Sequence, residues 1–73
     1  LNSNNKNVLF LLGTIELKLK NYDESIKLFK KNIKINKEDE LTLNNLGIAY
    51  KNIKKLDEAK EVFKKILKII IRI

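Results

Sequence analysis

The chain has no cysteine, histidine, proline, tryptophan or methionine, and only two glycines among 73 residues. Without cysteine there is no disulfide framework and no thiolate metal site. Without histidine the commonest general base and the commonest metal ligand are both missing. Without proline, and nearly without glycine, little in the chain interrupts a helix. Long apolar runs are lacking too. The most apolar stretch, "ILKIIIRI" (Ile66–Ile73), is too short and too charged to cross a bilayer. The opening "LNSNNKN" is polar and does not resemble a signal peptide. A soluble, intracellular, cytoplasmic chain is therefore expected. Because it opens on leucine, it reads as a fragment of a longer one. Its length allows one small domain, whose core is marginal unless neighbours support it.

What the chain does have is lysine, asparagine and isoleucine, together about half of all residues. Sixteen basic against nine acidic residues leave a formal charge of +7. Such a balance invites a nucleic-acid reading. The composition bias of an A/T-rich genome accounts for it more simply.

The chain also repeats itself. Shifted by 34 residues, Leu9 falls on Leu43, Leu12 on Leu46, Gly13 on Gly47, Lys20 on Lys54, and Asp23-Glu24 on Asp57-Glu58. Phe29 falls on Phe63, and Lys30, Lys31, Lys34 and Ile35 on Lys64, Lys65, Lys68 and Ile69. That makes 11 identities in 34 pairs, where this composition gives about four by chance. Each unit reads as two helices: Val8–Leu19 and Tyr22–Ile35, then Leu41–Ile53 and Leu56 onward. Asn21 and Asp39 are the expected caps. Acidic pairs follow the breaks and lysines fill the later turns, an order that complements the helix dipole. The short connections make neighbouring helices antiparallel.

These units resemble the tetratricopeptide repeat, a 34-residue helix–turn–helix with the pattern W-x2-L-G-x2-Y…A-x3-F…P. The second unit carries Leu43, Leu46-Gly47, Tyr50, Ala59 and Phe63; the first carries Leu9, Leu12-Gly13, Glu16, Ser25 and Phe29. The resemblance implies an all-α fold of two stacked hairpins, a right-handed α-solenoid fragment. Residues 6–39 and 40–73 would be the repeats, and residues 1–5 a disordered tail. It also implies that each glycine faces the small residue of its second helix, Gly13 against Ser25 and Gly47 against Ala59. Departures from the pattern carry expectations of their own. Glu16 replaces the usual tyrosine and is expected to reach solvent or to pair with Lys20. Asn32 and Ile66 replace a small alanine, so looser packing onto the next helix is expected. Lys37 and Ile71 replace the proline, leaving the last helix free to run on.

By the same resemblance, the first helix of each unit lines a concave groove that binds peptides or helices. That register places Asn7, Phe10, Thr14, Leu17 and Lys18 in the lining, with Leu41, Asn44, Asn45, Ile48, Lys51 and Asn52. Phe10, Leu17 and Ile48 would receive apolar side chains, and Asn44, Asn45 and Asn52 would bond a peptide backbone. Asparagine is common throughout, so simple solvation is the competing reading. The family's basic carboxylate clamp is matched only at Asn45, since Phe10 and Thr14 hold its first two places.

Two surfaces remain. Lys27, Lys30, Lys31 and Lys34 form one helical stripe, and Lys64, Lys65, Lys68 and Arg72 the matching one. Both lie on second helices, behind the groove, where solvation and solubility explain them. Contact with nucleic acid or an acidic membrane is the alternative. In the last helix Ile66, Leu67, Ile69, Ile70, Ile71 and Ile73 span about 200° of the wheel. One neighbour cannot cover that arc, so Ile66, Ile69, Ile70, Ile71 and Ile73 are expected to meet a further repeat or another copy.

Catalysis is not expected. Ser3, Thr14, Ser25 and Thr42 are the hydroxyl nucleophiles, and no base is available to activate them. No phosphate loop or metal-ligand cluster appears, so no cofactor is expected. The sequence favours a protein-interaction module, scaffold or adaptor, whose partner is protein or peptide rather than nucleic acid or membrane.

Overall fold

The computed structural model describes residues 5–72. It contains four helices: α1 (Lys6–Lys18), α2 (Tyr22–Ile35), α3 (Glu40–Asn52) and α4 (Leu56–Ile70). α1 packs on α2 and α3 on α4 as adjacent hairpins, and α3 also packs on α2, joining the hairpins. The described residues are all-α, as the resemblance implies. Of the expected tail, Asn5 lies inside the structure and caps α1, its side chain accepting from the Asn7 and Val8 amides. Residues 1–4 and Ile73 lie outside the described residues.

The helix boundaries follow local chemistry. Asp39 caps α3, as expected, accepting from the Thr42 amide. Asn21 makes no side-chain cap bond on α2; its amide donates instead to Glu16 Oε1 at 2.7 Å. Of the two expectations for Glu16, solvent or Lys20, the structure shows an exposed carboxylate contact with Asn21 in place of the Lys20 pair. α4 stops at Ile70 rather than running on.

Both hairpin turns are built alike. Lys20 and Lys54, 34 residues apart, have φ of 66° and 65°. Around the first, the Lys20 amide donates to Leu17 O and the Asn21 amide to Glu16 O. Around the second, Lys54 donates to Lys51 O and Lys55 to Tyr50 O. These are paired Schellman closures, in which a left-handed residue lets the last helical carbonyls find donors. Glycine usually holds that position, and lysine holds it here twice.

The core runs through both hairpins: Phe29, Leu43, Leu46 and Val62 form its buried centre, with Leu17, Ile26, Ile33, Tyr50, Ile66 and Ile69 against it. Gly13 and Gly47 are buried, and the space beside them is filled differently from the expectation. A Cβ on Gly13 would stand 2.6 Å from Phe29 Cε1, and one on Gly47 2.6 Å from Phe63 Cζ. The nearest neighbour is thus the phenyl ring one turn beyond Ser25 or Ala59, not the small residue itself. The ring lies where a methyl would be, so glycine here makes room for an aromatic side chain.

The joint between the hairpins is polar at its centre. Asn32 is fully buried, and its amide donates to Thr42 Oγ1 at 2.9 Å. The Thr42 hydroxyl donates onward to Asp39 Oδ2 at 2.9 Å. Because the hydroxyl gives its one proton to the carboxylate, it can only accept from Asn32, which fixes the amide's orientation. Asn32 ties α2 to the cap of α3 across buried space through its N–H, while its carbonyl oxygen is buried without a hydrogen-bond partner among the described residues.

Candidate functional site

The inner faces of α1 and α3 meet through a polar contact. Thr14 donates to the Phe10 carbonyl within α1 at 2.8 Å, and Asn45 on α3 reaches Thr14 Oγ1 at 3.4 Å. Beside this contact lies a cleft of about 380 Å³ lined by Thr14, Leu17, Lys18, Asn45, Ile48 and Asn52, with Lys20 and Tyr22 at one end. Six residues of the expected groove therefore come together.

The other five do not line this cleft. Asn7, Leu41 and Asn44 are exposed outside it. Phe10 is half-buried, its ring centroid 6.4 Å from that of Phe29, so it serves the core. Lys51 lies on the far side of α3, beside Leu56, Ala59 and Phe63. Lys20 and Tyr22 join the lining from outside the expected register. Their positions follow from the Schellman turn, which folds the chain back past the mouth of the cleft, and lysine gives no sequence signal of such a turn.

The chemistry of the cleft is mixed. Leu17 and Ile48 supply apolar surface, Lys18 and Lys20 supply positive charge, and the asparagines supply amide donors and acceptors. Asn52 already donates one N–H to the Ile48 carbonyl at 2.8 Å, which leaves its second N–H and its carbonyl oxygen for a ligand. Such a lining suits a peptide, which offers backbone polar groups, apolar side chains and carboxylates together.

The fold keeps the first basic stripe together, Lys27, Lys30, Lys31 and Lys34 lining one shallow cleft, and splits the second. Lys34 and Lys37 face Lys65, Lys68 and Arg72 across a second cleft of about 480 Å³ between α2 and α4. The single acid there, Glu38, accepts from Arg72 at 2.6 Å. Lys64 lies apart, on the open end of the second hairpin. The isoleucine patch is split too: Ile66 and Ile69 pack against the core, while Ile70 and Ile71 are about 60% exposed. Ile73 lies outside the described residues.

A family model, tetratricopeptide repeat, matches residues 6–72. The chain belongs to the tetratricopeptide repeat family. Membership makes it a protein–protein interaction module in the general sense, of a repeat type that is typically non-catalytic. A comparison with curated proteins finds no match. Among the described residues no helix is long and apolar enough to cross a membrane.

Proposed function

We propose that this tetratricopeptide module captures an extended peptide in the cleft between α1 and α3, and that the peptide carries an acidic group beside an apolar side chain. The observation that supports this is the convergence of Leu17, Ile48, Asn45, Asn52, Lys18 and Lys20 on one concavity. The apolar pair takes the peptide's hydrophobic side chain. The amides bond its backbone, and the lysines attract its carboxylate. A cleft of this size holds a few residues, so affinity rests on those few contacts.

The test is selection of random 12-residue peptides displayed on phage against the folded chain. Enriched peptides should pair an acid with an aliphatic or aromatic residue. They should lose about tenfold or more in affinity for a Lys18→Glu/Asn52→Ala variant, whose altered positions are both exposed. Equal binding to both forms would reject the cleft.

A second reading has one observation in its favour. Five cations share the α2–α4 cleft, a concentration of charge that suits a polyanion such as nucleic acid. Retention on heparin that disappears in a Lys34→Gln/Lys65→Gln/Lys68→Gln variant would support it. No retention at low salt would dismiss it.

A further inference from the structure

The cleft between α2 and α4 has two walls of the same charge. α4 packs on α3 and not on α2, so a gap stays open between the two second helices. Lys34, in the last turn of α2, and Lys37, in the connection to α3, stand on one side. Lys65, Lys68 and Arg72 stand on the other, their spacing of i, i+3 and i+7 placing all three on one helical side. Ile33 and Ile69 lie between the walls, half-buried against the core. Five cations against one acid, Glu38, leave the cleft at +4.

We propose that this cleft binds a compact anion carrying two or three phosphate groups. The assignment rests on the polyanion reading of the cleft and narrows the anion; the peptide cleft plays no part in it. Charge sets the class. A terminal phosphate group bears about −1.5 to −2, so two of them match +4, where carboxylates would have to come four together. The placement of the cations sets the shape. They enclose one concavity of about 480 Å³ from two helices instead of following one another along a track. The row of Lys27, Lys30, Lys31 and Lys34 is different: its cleft is lined by α2 alone. No aromatic side chain lines either cleft, so the bases of a nucleic-acid strand find nothing to stack on. No exposed apolar side chain lines the α2–α4 cleft either, so its rim offers nothing to a bilayer.

The ion pairs separate this cleft from the rest of the basic surface. Outside it, Lys27 pairs with Glu24 and Lys64 with Glu61. Inside it, Lys34, Lys37, Lys65 and Lys68 make no ion pair among the described residues, so their ammonium groups can turn toward a ligand. Arg72 donates to Glu38 Oε2 at 2.6 Å, so an anionic oxygen already occupies one donor of the site. The remaining N–H groups of the guanidinium keep the fork geometry that suits phosphate. Glu38 competes with an incoming anion for Arg72. Because the two walls belong to different hairpins, a bound anion bridges them and stabilises the folded chain.

Isothermal titration calorimetry with sodium tripolyphosphate, in about 0.15 M salt, tests this. One-to-one binding is expected. Lys34→Gln/Lys65→Gln/Lys68→Gln should weaken it about tenfold. Lys27→Gln/Lys30→Gln/Lys31→Gln removes the same charge from the α2 row and should change it little. Glu38→Gln should tighten it about threefold or more, because Arg72 loses its competing acceptor. All seven positions are exposed, so circular dichroism should show unchanged helix content. Equal losses in the two triple variants would reduce the binding to net charge and overturn the site. No binding of tripolyphosphate would overturn it too; heparin retention in the same preparation would then leave the broader polyanion reading standing, and its absence would remove both. Vesicles bearing phosphatidylinositol bisphosphate present the same groups on a membrane and should bind no more tightly than tripolyphosphate. Binding to the vesicles alone would overturn the assignment to a free anion.

Discussion

Replacing either helical glycine by alanine normally stabilises a helix by about 1 kcal/mol. Here the two glycines should respond differently, although the added methyl meets a ring atom at 2.6 Å in both. Carbon atoms rest at about 3.5–4.0 Å, so the ring must retreat by about 1 Å. At Gly13 the ring is Phe29, fully buried under α3 and touching Phe10. It cannot retreat without disturbing the centre of the core, and overpacking of that kind costs about 1–3 kcal/mol. The cost offsets or outweighs the propensity gain, leaving a net loss of up to about 2 kcal/mol. At Gly47 the ring is Phe63, half-buried with open space on its outer side. It can swing outward, and Gly47→Ala should be near neutral. In a domain this size 1 kcal/mol moves Tm by about 4–8 °C. Thermal unfolding followed by circular dichroism, at dilutions where the chain is monomeric, reads the difference directly. Gly13→Ala/Phe29→Leu should be less than additive, since the smaller side chain vacates the space the methyl needs. The reasoning fails if Gly13→Ala raises Tm as an ordinary helical glycine replacement does.

Other outcomes follow from the joints and turns. Thr42→Val removes the acceptor of a fully buried amide and should cost about 1–3 kcal/mol in chemical denaturation; adding Asn32→Ile should recover part of the loss by replacing the stranded amide with an apolar side chain. Lys54→Gly relieves a left-handed backbone at an exposed site and should stabilise by about 0.5–1 kcal/mol, visible as a higher urea midpoint at unchanged m-value. Asn5→Ala should cost about 1 kcal/mol through the α1 cap. Asn21→Ala, which loses only an exposed bond to Glu16, should cost less in the same assay.

Most of the fold was legible because it is written twice. The 34-residue period, the glycine–phenylalanine spacing and the acidic-to-basic order of each helix all specify the same pair of hairpins. The period could not reveal what differs between the copies. Asn32 and Thr42 have no echo at Ile66 and Val8, so their hydrogen bond was invisible to any comparison of the units. The left-handed Lys20 and Lys54 were hidden because lysine carries none of glycine's turn signal. The site was half legible. A helical register places Thr14, Leu17, Lys18, Asn45, Ile48 and Asn52 on an inner face, but it cannot tell that Phe10 turns its ring to Phe29. Nor can it tell that Lys51 belongs to the open end.

The central functional claim is that the α1–α3 cleft, and not the basic cleft behind it, receives the partner. Two-dimensional NMR of the isotopically labelled chain, titrated with a peptide selected on it, tests this most directly. The account predicts shift changes concentrated on Thr14, Leu17, Lys18, Asn45, Ile48 and Asn52. Changes concentrated instead on Lys34, Lys37, Lys65 and Lys68 would contradict it.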